Sequence, residues 1–332
     1  MTLEHRARPR GAAALLATPP RALAMTILGG AGISVQSYLN GRLGREVDSA
    51  FVAAATNNLI AFAVTAAIVV ATGALPRGIG RLRALGRPPA WHFLGGLGGA
   101  ALVLVSAVAA PEVGVALLTV ALVCGSTGGS LPVDAAGLGP AGRRPITPPR
   151  VAGVLLAIGA TLITALGARG ELEPLLLSLA VLAGVGLALQ QAANGQLARA
   201  TGEPFVAALV NTAVGLAALV AIAFATIAVS APDALPGNPL LYVGGLFGAF
   251  VVVVTAAAVQ TLGVLRLGLA LVAGQTCGAL AVDLVAPAPG EAVTVATVVG
   301  VVLTMAAVAV SGRHAGSRRA VPPRAPRSCP PA

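Results

Sequence analysis

One stretch of this chain occurs twice, and that duplication constrains the fold more than any other feature. The first copy runs Gly30-Ala-Gly32-Ile-Ser-Val-Gln36-Ser-Tyr-Leu-Asn40-Gly41-Arg-Leu43 and continues to Phe51 and Asn57. The second runs Gly184-Val-Gly186-Leu-Ala-Leu-Gln190-Gln-Ala-Ala-Asn194-Gly195-Gln-Leu197 and continues to Phe205 and Asn211. Every pair sits at the same offset, 154 positions, without a gap. Farther along, a second set pairs at 149: Gly95-Gly96-Leu97 with Gly244-Gly245-Leu246, Gly125 with Gly274, Thr127 with Thr276, and Val133-Asp134 with Val282-Asp283. One connecting segment is therefore shorter in the second half. Self-similarity at this scale marks a duplicated architecture.

The duplicated unit is apolar. Of 332 residues, 57% are hydrophobic and 10% charged. A soluble domain carries about 25% charged residues, so this chain lacks the polar side chains to clothe a water-facing surface. Apolar runs of about 20 residues, the length that crosses a bilayer, recur throughout. Ten spans are expected, at 22–40, 50–73, 91–110, 112–133, 151–168, 175–194, 204–229, 240–259, 266–286 and 292–311. The expected fold class is an all-α integral membrane protein. Glycine clusters such as Leu94 to Gly99 and Val243 to Gly248 then read as close helix contacts, because small residues let helices approach in lipid.

Charge sets the orientation. The net charge of +10 is carried by arginine alone, since the chain has no lysine. With the N-terminus in the cytoplasm, 18 arginines fall in inside segments and only Arg42, Arg45 and Arg169 outside. That asymmetry supports ten spans with both termini cytoplasmic. It also explains the basic balance without nucleic acid, which is not expected as a partner; the lipid bilayer is. Residues 1–21 read as a basic cytoplasmic tail before an uncleaved first span, and 312–332 as a disordered Arg/Pro-rich tail. The first repeat is placed at 22–168 and the second at 175–311. Five spans per half is an odd number, so the halves insert in opposite orientations. Secondary transporters are often built this way, with the substrate site near the repeat interface.

Gln36 and Asn40 are spaced i, i+4, as are Gln190 and Asn194, which puts each pair on one helix face. An amide in an apolar helix needs a partner, either a neighbouring helix or a ligand. The functional reading places Gln36, Asn40, Asn57, Gln190, Asn194, Asn211 and Gln275 along a substrate path. The structural reading makes them interhelical ties, with Asn40-Gly41 and Asn194-Gly195 ending helices as left-handed caps. Asp134 and Asp283 are matched acids at the ends of the fourth and ninth spans. They read as solvated helix ends, and they are the coupling candidates if transport uses protons. Trp91 and His92 begin the third span as interfacial residues. Cys124 and Cys277 read as small packing residues. Three cysteines and three histidines without metal-ligand spacing lead to an expectation of no metal and no cofactor.

With these motifs in view, the chain resembles the YdcZ-like inner-membrane exporter family of the drug/metabolite transporter superfamily. Two stretches carry the resemblance: Gly-x-x-x-Gln-x-x-x-Asn-Gly-x-Leu at Gly32–Leu43 and Gly186–Leu197, and Gly-x-Thr-x-Gly-x-Leu-x-Val-Asp around Asp134 and Asp283. The first half departs from the family pattern at Gly125-Ser126, where the second has Gly274-Gln275. The resemblance implies a ten-span fold of two similar halves exporting a small molecule across the cytoplasmic membrane; it names no substrate. Without lysine there is no P-loop, so energy would come from gradients. The alternatives are a non-transporting membrane scaffold and an intramembrane enzyme, for which no nucleophile–base pair is assembled in the sequence. The low aromatic content, 3%, argues against a cage for large cations and favours a small polar or amphipathic solute. A homodimer is left open.

Overall fold

The structure is a computed structural model describing residues 18–113, 115–164, 173–227, 234–285 and 295–311. Most of the two tails lies outside them. Among the described residues there are eleven α-helices: α1 (Pro19–Glu46), α2 (Ala50–Thr72), α3 (Ala74–Leu85), α4 (Gly96–Val113), α5 (Val115–Ala136), α6 (Pro148–Thr164), α7 (Pro174–Thr201), α8 (Pro204–Ile227), α9 (Gly244–Leu262), α10 (Val264–Val285) and α11 (Val295–Ser311). Short 3-10 turns at Ala90–Phe93 and Pro239–Tyr242 lead into α4 and α9. Six helical stretches are long and apolar enough to cross a membrane, and three shorter apolar ones accompany them.

Local chemistry explains the helix ends. Pro at the first positions of α1 and α7 loses no hydrogen bond there, because the first N–H groups of a helix lack intrahelical partners. The Ser49 side chain accepts from Val52 N–H and starts α2. Gly73 and Gly202 end α2 and α7 with φ of 62° and 71°, in the left-handed region where only glycine rests without strain.

Three sequence expectations need correction. Asn40-Gly41 and Asn194-Gly195 do not end helices: α1 runs on to Glu46 and α7 to Thr201. The asparagine amides are engaged by side chains on the following helices instead of capping. A Cβ on Gly195 would collide with Val259 and Pro140, so that glycine serves close packing. The arginine-bearing segment after α2, left between the expected spans 50–73 and 91–110, is itself a helix. In α3, Leu75 and Ile79 lie on the outside among arginines while Ala74 and Gly78 are buried, an amphipathic pattern. Trp91 and His92 occupy the 3-10 turn before α4, where His92 is buried and Trp91 packs on the apolar core.

The packing repeats with the sequence. Helix α1 lies along α10, and its counterpart α7 lies along α5; α1 also meets α9 as α7 meets α4. The pairs α2–α8 and α6–α11 complete the bundle. Glycines set the closest crossings. A Cβ on Gly274 would fall on the Ile27 carbonyl oxygen, and one on Gly125 would fall on that of Val181, the same contact at the two repeat offsets. The interior is built largely of alanine, while Val70, Leu155, Leu182 and Phe224 point outward. Small residues inside and large apolar ones outside is the arrangement expected where lipid, not water, surrounds the helices.

Candidate functional site

The duplicated amides meet at the centre of the bundle. Asn40 on α1 accepts a hydrogen bond from Asn57 Nδ2 on α2 at 2.8 Å. At the second copy, Asn194 Nδ2 on α7 donates to Asn211 Oδ1 on α8 at 2.9 Å. Asn57 and Asn194 are 2% and 3% exposed, so these are exchanges made out of water. The two amide groups are joined across the α2–α8 contact. Asn58 Nδ2 donates to the Thr212 carbonyl at 3.0 Å, and the Thr65 and Thr212 hydroxyls lie 3.1 Å apart.

Glycine makes room for each amide. Gly244 packs on Asn57, as Gly95 packs on Asn194; Gly248 faces Gln36, as Gly98 and Gly99 face Gln190. The glycine clusters of α4 and α9 thus form the walls against which the amides of α1, α2, α7 and α8 rest. Around Gln36, Asn40, Asn57, Asn58, Gln190, Asn211 and Thr212 a cavity of about 240 Å³ remains. Two oxygens of these lining residues, Asn57 Oδ1 and Gln190 Oε1, are buried without a hydrogen-bond partner. A buried acceptor left open costs about 1–3 kcal/mol; Asn57 Oδ1 lies against Gly244, and Gln190 Oε1 against Gly98 and Gly99.

Gln275 does not join this seam. It lines a separate cavity of about 540 Å³ with Ser34, Ser37, Tyr38 and Thr276, between α1, α10 and the α6–α11 pair. Ser34 Oγ donates to the Gln275 carbonyl at 2.7 Å and ties α1 to α10 at its edge.

Asp134 departs from its expected place. It is 1% exposed, so it is not a solvated helix end. Helices α9 and α10 are separated by Gly263 alone, which leaves the first N–H groups of α10 facing α5. Asp134 fills that position: Oδ1 accepts from Val264 N–H at 2.9 Å and Oδ2 from Leu265 N–H at 3.2 Å. Arg150 donates to Oδ2 at 2.5 Å. Arg144 completes the junction by donating to the Leu262 and Thr261 carbonyls at the end of α9. A carboxylate on a helix N-terminus and guanidinium groups on carbonyls at a C-terminus both follow the helix dipole. Burial pushes the Arg144 guanidinium down from its ordinary value, and neighbouring Asp134 opposes that shift. Asp283 lies on α10 with its side chain outside the described residues.

Sequence reasoning did not find Arg144 and Arg150 as partners of Asp134, Thr65 as a tie to Thr212, or Tyr38 as a cavity group. Thr65 corresponds to Leu219 at the repeat offset, so a search for duplicated polar positions passes over it. Among the described residues no three His, Cys, Asp or Glu side chains gather as a metal site.

A family model described as "Putative inner membrane exporter, YdcZ" matches the chain twice, over residues 21–163 and 175–310. None of the curated proteins compared matches it. A solved structure described only as "Crystal structure of protein" superposes with a TM-score of 0.65 at 19% identity, covering 89% of this chain and 98% of its own. At that identity the likeness concerns the fold alone.

Proposed function

The chain belongs to the YdcZ inner-membrane exporter family, and on that premise we propose that it is a secondary transporter of the drug/metabolite type. It exports a small molecule across the cytoplasmic membrane by alternating access. In this reading α1, α2 and α4 to α11 are ten spans, five in each of two inverted halves, with both termini in the cytoplasm and α3 lying on that face. The halves rock about the central amide seam, and the solute path passes along Gln36, Asn40, Asn57, Gln190, Asn194 and Asn211, with Gln275 in the adjoining cavity.

One observation carries the reading: amides from both copies of the duplicated stretch line one cavity, and two of them, Asn57 and Gln190, keep a buried oxygen without a hydrogen-bond partner. A scaffold whose amides only tied helices would gain from closing those acceptors. The experiment is a screen for solute-induced thermal stabilisation of purified protein, followed by flux of each hit into reconstituted vesicles. A hit should stabilise wild type but not Gln36→Ala/Gln190→Ala. That variant should also lose about tenfold in flux, the factor one lost hydrogen bond of ~1.4 kcal/mol gives. Equal stabilisation and equal flux in both proteins would leave the amides as ties between helices and move the path elsewhere.

A further inference from the structure

Five helices, α1, α5, α6, α10 and α11, change character along their length. Near the ends that carry Arg21, Arg150 and Arg266 they close on a dry layer that includes Val154, Leu265, Leu269 and Ala307. Farther along they part around the cavity of about 540 Å³, whose polar lining includes Ser34, Ser37, Tyr38, Gln275, Thr276 and Thr304. Gln275 lies nine residues past Arg266, about 14 Å along the helix, and Thr119 fifteen residues before Asp134, about 22 Å. The cavity thus sits away from the arginine-bearing ends and is floored by the apolar layer.

The two-fold-related place in the other half is shut. Ser34 and Tyr38 correspond at the repeat offset to Ala188 and Ala192, which are 1% and 0% exposed and belong to the apolar core. Ser37 corresponds to Gln191, whose Oε1 is buried near Gly268. A duplicated fold that is open on one side and closed at the equivalent place on the other has a one-sided chamber, not a pore.

No described residue lining the chamber carries a charge at neutral pH. The side chains of Ser37, Tyr38 and Gln275 enter it without a hydrogen bond to another described residue. The volume falls in the range of small-molecule sites. We propose that this chamber is a second solute site, apart from the amide seam, in a state open away from the arginine-bearing end, and that it takes an uncharged solute bearing hydroxyl or amide groups on an apolar body. This rests on the transporter reading and adds to it a location, a sidedness and a solute class. An ion entering would shed water with no counter-charge among the described lining residues to meet it, whereas a neutral hydroxyl or amide would find donors and acceptors.

The test reads the chamber's own preference. Ser37→Cys and Val282→Cys are placed singly in a chain carrying Cys124→Ser, Cys277→Ser and Cys329→Ser, with exposed Arg42→Cys as reference. Two reporters on different helices guard against one misfolding. Right-side-out and inside-out vesicles are treated with three methanethiosulfonates: neutral hydroxyethyl, cationic trimethylammonioethyl and anionic sulfonatoethyl. In right-side-out vesicles the neutral reagent should modify both reporters. Each charged reagent should lag it by about tenfold more than at Arg42→Cys, as an uncompensated burial of charge requires. Charge ratios equal to those at the reference, or modification only in inside-out vesicles, would overturn the proposal. Charge-blind labelling with solute flux intact would sink the chamber and spare the transporter. Charge-selective, one-sided labelling in a protein that moves no solute would do the reverse.

Discussion

At the residue scale the most consequential side chain is one whose burial no local pattern announces. Asp134 serves three donors from two segments: Arg150, and the Val264 and Leu265 N–H groups. The pair with Arg150 is close to fully buried, at 1% and 11% side-chain exposure. Removing one partner of such a pair leaves the other charge uncompensated. Asp134→Asn should therefore lower stability by about 3–5 kcal/mol, read by thermal unfolding in detergent. Combining it with Arg150→Gln should cost less than the sum of the two single changes, because the second removes a charge already stranded. A loss within about 0.5 kcal/mol for the single variant would return Asp134 to the status of a solvated helix end. Asn40 and Asn194 teach a related lesson. Asn-Gly is a good helix stop in isolation, but a buried asparagine beside a second asparagine satisfies its amide better by pairing, and the helix continues.

At the element scale the helices are held by the smallest residues in them. Helices α1 and α10 touch backbone to backbone at Gly274, and α5 and α7 do so at Gly125. Each glycine faces a carbonyl oxygen rather than the end of a flexible side chain, so the neighbour cannot step aside. Gly274→Ala should push α1 from α10 and cost about 1–3 kcal/mol, as overpacking does. Gly128→Ala, whose added methyl meets nothing within 4 Å, should leave the unfolding temperature near wild type. Equal effects of the two would mean that helix propensity, not close approach, decides. The amphipathic α3 belongs to this scale too. Three arginines, a proline and two glycines interrupt its apolar positions, so a search for long apolar runs passes over it. Its spacing of Leu75, Ile79 and Leu82 is helical, and that signal was available.

At the scale of the whole molecule the chain is inside out relative to a soluble protein, with alanine and glycine packed within and leucine, valine and phenylalanine at the surface. Arginine sorts to one end of the bundle: Arg144, Arg150 and Arg266 gather where α5, α6, α9 and α10 begin or end. In a membrane the positive end stays in the cytoplasm. A reporter fused at the C-terminus should therefore be active only in its cytoplasmic form, and a reporter in the α1–α2 turn only in its external form. A C-terminal reporter active outside would imply an odd number of crossings and sink the inverted-repeat topology.

What the sequence alone determined is whatever repeats or runs along the chain. Apolar length marked the helices that can enter lipid. The two offsets marked the duplication, and the amides of α1, α2, α7 and α8 stood out because polar groups in apolar runs are expensive unless paired. Only the tertiary structure decided which group meets which. The carboxylate of residue 134 answers N–H groups 130 and 131 positions away, and the donors for the Asn40 and Asn211 oxygens come from neighbouring helices. The tertiary structure also separated Gln275 from the other amides and closed one half where it opened the other. The physical reason is the same in each case. A hydrogen bond or a dry contact depends on separation in space, and packing brings together residues whose distance along the chain says nothing of their meeting.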